Sequence, residues 1–329
     1  MKHITLLYPE GQRNLSTIAC IVGTVEAFAR ANDYWKQQGH QPKYRLVVAG
    51  VSSLSKEEYI KNLVALKTDA SISEISKTDL IIIPSAMPGE DTAEYRQMLD
   101  WINRQYKAGA EIASMCSGAF ILASTGIIDG RSCSTHWSLV NTFRDKFPNV
   151  NLHSDKLITD EKGIYTNGGA YSFLNLVVYL IEKYYDRQTA IYCSKVLQIE
   201  LDRDSQSAFA IFTGQKQHGD KIVQQAQIYI ENNIDEKISI EDLSSKFAIG
   251  RRNFDRRFIK ATGNTPLEYS QRVKIESAKK ALESSRKTVN EVMYDVGYSD
   301  VKAFREVFRK ITGMSPLEYK GKYNREAAV

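Results

Sequence analysis

The sequence lacks any run of eighteen apolar residues, the length that the hydrocarbon core of a bilayer demands of a spanning helix, so no transmembrane segment and no membrane partner are expected. Its first residues, MKHITLLYPEG, hold too short an apolar stretch for a secretory signal, and no small-residue cleavage site follows. Cysteine is scarce. The four residues Cys20, Cys116, Cys133 and Cys193 form no CxxC pair and no zinc-ligand spacing. They are expected to be reduced thiols in a cytoplasmic protein, with no metal and no cofactor. Residues 1–219 carry no charge excess, with 23 Lys+Arg against 23 Asp+Glu. Residues 220–329 hold 21 basic against 16 acidic residues, so the whole net charge of +5 lies there. A basic last domain after a neutral one points to a polyanion partner for that domain. On charge alone, a solvated surface is an equal alternative.

What is present divides the chain. A length of 329 residues with 43% apolar content suits two or three domains that each bury a core. The first two hundred residues alternate strand-like and helix-like text. HITLLY (3–8), YRLVVAGV (44–51), DLIIIPSA (79–86) and EIASM (111–115) read as strands, and LITDEKGIYTNGG (157–169) as a hairpin. Helices are expected from a cap at Ser16 to about Gln38, over 91–107, 117–124 and 170–185, and near 187–198. Near-continuous apolar strands alternating with helices predict an α/β domain of flavodoxin-like form, a parallel sheet with helices on both faces. Residues 200–220 lose the pattern and suit a connector. From Lys221 onward everything reads as helix. The expected organisation is a first domain over 1–199, a linker over 200–220 and an all-α domain over 221–329.

The last domain repeats itself. FDRRFIKATGNTPLEY (254–269) and FREVFRKITGMSPLEY (304–319) are identical at nine of sixteen positions, fifty residues apart. Upstream, SIED (239–242) and TVNE (288–291) each place an acid three residues after Ser or Thr, the pattern of a capping box. Each unit therefore reads as a short helix, a tight turn containing glycine and a longer helix, which is helix-turn-helix geometry. In the longer helices Phe254 and Phe258, and Phe304, Phe308 and Ile311, fall on one face. Arg252, Arg256 and Lys260 fall on the opposite face of the first, and Lys302, Glu306 and Arg309 on that of the second, with Arg305 at its edge. An arginine-bearing exposed face suits a major groove, where Arg can bond guanine bidentately. A long helix over 267–285 would hold the two units so that both enter successive major grooves, about 34 Å apart on one DNA face.

The stretches DLSSKFAIGRRNFDRRFIKATGNTPLEY and EVMYDVGYSDVKAFREVFRKITGMSPLEY resemble the AraC/XylS DNA-binding domain over 221–322. The resemblance places base-reading positions at Arg252, Asp255 and Arg256 in the first unit and at Lys302, Arg305 and Glu306 in the second. The two acids would accept from cytosine or orient an arginine.

In the first domain, EIASMCSGAF (111–120) sets Cys116 where a buried strand turns sharply into a helix, the geometry of a nucleophile elbow. A helix amino terminus is expected to lower its thiol pKa. His136, in STHW, could serve as its base. A packing cysteine and a structural histidine are the plainer readings. The elbow text ASMCSGAFILASTGIIDGR and STHW resemble the ThiJ/PfpI domains of the class I glutamine-amidotransferase-like superfamily over roughly 3–190. With the AraC-type tail, the whole is similar to GlxA-type regulators, whose first domain is taken to bind an effector, often a nitrogen-containing metabolite. Against that pattern, the acidic residue that usually neighbours the elbow cysteine falls here at Cys20, which weakens a catalytic role. It also raises the prospect of a redox-sensitive pair with Cys116.

The expected effector site lies at the carboxyl ends of the strands. It uses Cys116, Ser117, His136 and Trp137, with Pro9–Gly11 and Ser85–Gly89 as further loops. The expectation is a sequence-specific transcription regulator, an activator, not an enzyme. Its partners would be double-stranded DNA, a small-molecule effector, a second copy of the chain and RNA polymerase. The rival is a Cys116- and His136-dependent hydrolase or lyase with a DNA-binding appendage.

Overall fold

Ile4 to Leu7 are all buried, because the strand they form is covered on both sides. This strand, β1 (Lys2–Leu7), begins an alternation of strands and helices in a computed structural model that describes residues 1–51, 58–60 and 64–324. There follow α1 (Leu15–Gln37), β2 (Tyr44–Gly50), the short pair β3 (Glu58–Ile60) and β4 (Val64–Leu66), β5 (Ala70–Ser71) and β6 (Leu80–Ile83). Next come α2 (Ala93–Lys107), β7 (Glu111–Met115), α3 (Gly118–Ser124), β8 (Ser132–Cys133), α4 (Val140–Lys146) and β9 (Asn151–Leu152). The hairpin strands β10 (Ile158–Glu161) and β11 (Ile164–Asn167) and the helices α5 (Phe173–Tyr184) and α6 (Arg187–Leu197) complete the first unit, Met1–Gln206.

Seven strands form one sheet in the order β10-β11-β7-β6-β1-β2-β5. All pairs are parallel except β10 with β11. Strand periodicity sorts the apolar side chains into two cores. Ile4, Leu6, Leu80 and Ile82 pack with Ile21 and Phe28 of α1 and with Leu176, Val177 and Leu180 of α5. Leu7, Ile81 and Ile83 face Met98, Trp101 and Ile102 of α2 and Phe120 of α3. The chain leaves β1 toward β2 on one side and reaches β6 on the other, so the sheet's switch point lies at β1 and β6. The cap of α1 is Asn14, not Ser16. Asn14 Oδ1 accepts from the Ser16 and Thr17 amides, and the Thr17 hydroxyl accepts from the Asn14 amide. Asn ranks with Ser as a cap, and here it begins the helix two residues earlier.

Every regular element among the described residues of the second unit, Ser207–Val329, is a helix. It contains α7 (Lys221–Asn232), α8 (Ile240–Lys246), α9 (Arg251–Thr262), α10 (Pro266–Ser284), α11 (Val289–Asp295), α12 (Val301–Thr312) and α13 (Pro316–Tyr323). The duplicated text folds twice. Phe254, Phe258 and Tyr269 close one small core with Val223, Ile230 and Leu243, and Phe304, Phe308 and Tyr319 close the other with Leu282, Val292 and Met293. In each core the second Phe ring meets the Tyr ring edge-on, at centroid distances of 5.3 and 5.5 Å. Each Tyr hydroxyl donates to a glutamate three helices earlier in the chain, Glu231 of α7 or Glu283 of α10. The long helix α10 supplies Tyr269 to the first core and Ile275, Ala278 and Leu282 to the second.

Two local expectations change. Thr288 and Glu291 form a reciprocal capping box. At SIED only the forward half exists: Ser239 accepts from the Asp242 amide, and its hydroxyl turns to Glu241. The turns also differ. In the second helix-turn-helix Gly297 adopts the left-handed conformation (φ 71°). In the first helix-turn-helix Ala248 does so (φ 53°), and Gly250 at φ −61° is the cap of α9 instead. The segment 200–220 is tied down at both ends. Asp204 O accepts from the Leu157 amide in the first unit, and Phe212 packs edge-on against Tyr269 in the second.

Candidate functional sites: a closed thiol elbow and a basic double helix-turn-helix

Cys116 sits at the carboxyl end of β7 with φ 54°, a strained conformation for a side-chain-bearing residue. Two hydrogen bonds hold it at the start of a helix. Its amide donates to Asn167 O at 2.9 Å, its carbonyl accepts from the Thr135 hydroxyl at 2.9 Å, and α3 begins two residues later. Gly118 makes that start feasible: a Cβ there would stand 2.6 Å from Pro84 O and 2.8 Å from Ile83 O. The strand ends of β6 and β7 therefore meet the helix at backbone contact.

Ser85, just after β6, is the hub of this elbow. Its hydroxyl lies 2.9 Å from that of Ser117, and its carbonyl accepts from the Thr17 hydroxyl of α1. Ser85 is also a polar neighbour of both thiols, through its side chain for Cys116 and its main chain for Cys20. The two thiols are close enough to influence each other electrostatically, and both are buried and unlinked. Burial pushes the Cys116 thiol above its ordinary value, against hydrogen bonds from Ser85 and Ser117. Burial likewise pushes Cys20 up to about 12, with the neighbouring Cys116 adding to the rise. The expected lowering at a helix amino terminus does not occur, because desolvation outweighs it.

His136 does not join Cys116. Its Nδ1 pairs with the Ser138 hydroxyl at 2.7 Å, its ring lies 5.2 Å from that of Trp137, and burial lowers its pKa. Among the described residues no hydrogen bond links it to the elbow thiol. It is connected through Thr135, the residue before it. Ser117 is buried against Ser85, and Trp137 is half-buried with its amide on Gln206 Oε1 at 3.1 Å. Gln206 is 1% exposed, and its Nε2 donates to Thr135 O at 2.9 Å. Sequence reading missed Gln206, which lies in a polar stretch with no periodicity. The loops 9–11 and 85–89 close on each other: the Gln12 amide donates to Met87 O at 2.9 Å, and Gly11 lies against Gly89.

In the second unit the aromatic faces of α9 and α12 are fully buried. Arg252, Arg256, Lys260, Lys302, Arg305, Glu306 and Arg309 are exposed, and Asp255 is half-buried. Arg252, Lys302 and Arg305 have no ion-pair partner among the described residues. Asp255 is engaged by Arg251, whose Nε approaches to 2.9 Å while its other nitrogen reaches Glu241. Arg256 donates to Asn253 at 3.2 Å. Lys274 of α10 is 6% exposed and joins the two helix-turn-helix copies, donating to Glu236 O at 2.8 Å and to Val296 O at 3.1 Å.

Arg257 turns back from α9 and grips Asp220, the cap of α7, at 2.7 and 2.8 Å. The guanidinium holds the Asp220 carboxyl below its ordinary value. A lowered carboxylate contributes stability that is complete above the usual carboxylate range and lost as pH falls through the lowered value. Asp220→Asn is therefore expected to destabilise the unit by about 1–2 kcal/mol at neutral pH and by little in strong acid. Denaturant titrations at both pH values check this.

These two sites belong to a recognisable class, in which a thiol-elbow α/β domain precedes a doubled helix-turn-helix. Residues 22–183 match the DJ-1/PfpI family and residues 243–322 match a helix-turn-helix domain family. The chain is 22% identical over 254 residues to the HTH-type transcriptional regulator GbdR of Pseudomonas aeruginosa, a match that covers 76% of this chain and 68% of that one. To the HTH-type transcriptional regulator GlxA of Rhizobium meliloti it is 22% identical over 220 residues, covering 65% and 66%. A crystal structure from Vibrio parahaemolyticus, described as a transcriptional regulator, shares the first unit's fold with a TM-score of 0.51 at 19% identity, covering 60% of this chain and 98% of that one. The chain joins a DJ-1/PfpI domain to an AraC-type helix-turn-helix domain, and this pairing places it among DNA-binding transcription regulators.

Proposed function

We propose that this chain is a cytoplasmic transcription activator whose second unit reads DNA through α9 and α12 and whose first unit binds a small metabolite. The carrying observation is the doubled core. Two aromatic triads bury the inner faces of both long helices, which leaves Arg252, Arg256, Lys302 and Arg305 outward on each. Arg252 and Arg256 on α9, and Lys302 and Arg305 on α12, meet base edges, with Lys260 and Arg309 on phosphates. Asp255 orients Arg251 and is held back from the bases, while Glu306 accepts from cytosine. Arg256→Ala is expected to relax preference at one base position by about 1–3 kcal/mol. Binding measured on a set of single-base variants of a selected site tests this. Equal weakening on every sequence would make Arg256 a phosphate contact.

The metabolite is held near Ser85, Cys116, Ser117, His136 and Trp137, at the carboxyl ends of the sheet. A sensing role fits this elbow better than hydrolysis, because burial keeps the thiol protonated and His136 is turned to Ser138. The effector must bind two states of the protein with different affinity, and a second copy and RNA polymerase complete the active assembly. Among the described residues no helix is long and apolar enough to cross a membrane.

A further inference from the structure

The recognition helix of the first helix-turn-helix, α9, borders a basic cleft of about 730 Å³, and half of its wall lies outside the helix-turn-helix itself. His218, Gly219, Asp220 and Lys221 at the amino end of α7 form one side, facing Arg256, Arg257 and Lys260 of α9. We infer that this cleft seats the sugar–phosphate backbone of the DNA that α9 reads, with Lys221 and Lys260 as its phosphate contacts. The inference rests on the reading of α9 as a groove-entering helix and extends the DNA footprint to residues upstream of 243.

Charge carries the assignment. The cleft's single acid, Asp220, is already neutralised by the bidentate Arg257. Lys221 and Lys260 are exposed and have no ion-pair partner among the described residues. Two uncommitted ammonium groups across one cleft, with Arg256 at its rim, make a cation pair that only an anion can offset. Geometry names the anion. A helix lying in a major groove is flanked by phosphate strands, so the backbone beside α9 passes the wall that α7 supplies. The cleft is also built to hold its shape. The Arg257–Asp220 pair pins α7 to α9, and His218 Nε2 pairs with Gln227 Oε1 at 3.0 Å while Gln227 donates to Gln215 O. The repeat supports a dedicated role for the first helix-turn-helix copy. Fifty residues on, Arg256 and Arg257 become Glu306 and Val307, so the pinning arginine has no counterpart in the second copy.

The test measures binding of the full chain to a random-sequence duplex of about 40 bp across a salt series, by fluorescence anisotropy. Lys221→Gln and Lys260→Gln are each expected to reduce the slope of log K against log salt by about 0.9 and to weaken binding about 3–10-fold near 0.1 M salt. Base preference should stay unchanged. Lys221→Arg should retain the wild-type slope, and Lys195→Gln, in the first unit, should have no effect. Wild-type binding with an unchanged slope in Lys221→Gln overturns the cleft assignment alone, as does a changed base preference in that variant. Failure of the wild type to bind any duplex overturns the reading of α9 and this inference with it.

Discussion

Phe258→Ala is expected to remove about 3–5 kcal/mol from the stability of the second unit and to abolish DNA binding. Phe258 is wholly buried and lies against Phe254 and Tyr269, with ring centroids 5.6 and 5.3 Å away. Removing the ring leaves a cavity in a core of eight buried side chains, too few to collapse around it. α9 would lose the contact that aims Arg252 and Arg256 outward. A loss of this size is a large share of a domain's total stability. The first unit should be untouched, and the chain supplies its own reporter for that. All three tryptophans, Trp35, Trp101 and Trp137, lie before Gln206. Tryptophan fluorescence should therefore keep its wild-type transition, while helical circular dichroism gains an earlier one. An unchanged circular-dichroism curve would refute the structural role given to Phe258.

Lys274→Met is expected to cost about 2–4 kcal/mol and to impair binding to paired half-sites more than to a single half-site. Methionine keeps most of the buried stem but donates nothing, so Glu236 O and Val296 O both lose a donor. Those carbonyls belong to different helix-turn-helix units, one before α8 and one at the end of α11. Gly297 packs at the same junction, where a Cβ would stand 2.5 Å from Asp235 O. Lys274 is thus the link that sets one recognition helix against the other. Burial also lowers its pKa, since the ammonium is taken out of water for two neutral partners. Affinity for duplexes carrying one or two half-sites, compared between wild type and variant, decides the point. Equal losses on both would remove Lys274 from any spacing role.

The parts legible beforehand share one physical property: they depend on local periodicity. The apolar runs at 4–7 and 80–83 read as two-face-covered strands because each residue's side is set by the pleat. Phe254, Phe258, Phe304 and Phe308 read as inward because four residues make about one helical turn. The capping box at 288 is likewise written in three-residue spacing. Where two local signals compete, the reading slips. Asn14 and Ser16 can both cap α1, and the packing of the Thr17 hydroxyl on Ser85 favours the former. Each turn is expected to contain a glycine, yet in the first copy Ala248, not Gly250, takes the left-handed conformation, because the turn's register is set by packing on both sides of it.

The sequence alone determined the two-part division, the parallel sheet, the elbow at Cys116 and the outward arginines, since each follows from residues within a few turns of one another. Tertiary structure alone decided that Cys20 and Cys116 are buried near Ser85, that His136 Nδ1 pairs with Ser138, and that Gln206 holds the loop beside it. It also decided that Lys274 ties the two copies together and that Asp220 answers Arg257 across 37 residues. Apart from that of His136, these pairings join positions 22 to 96 residues apart, and the burial that shifts the thiols upward exists only once the strands have assembled. Spacing in the chain carries no record of which distant side chains will share a desolvated volume.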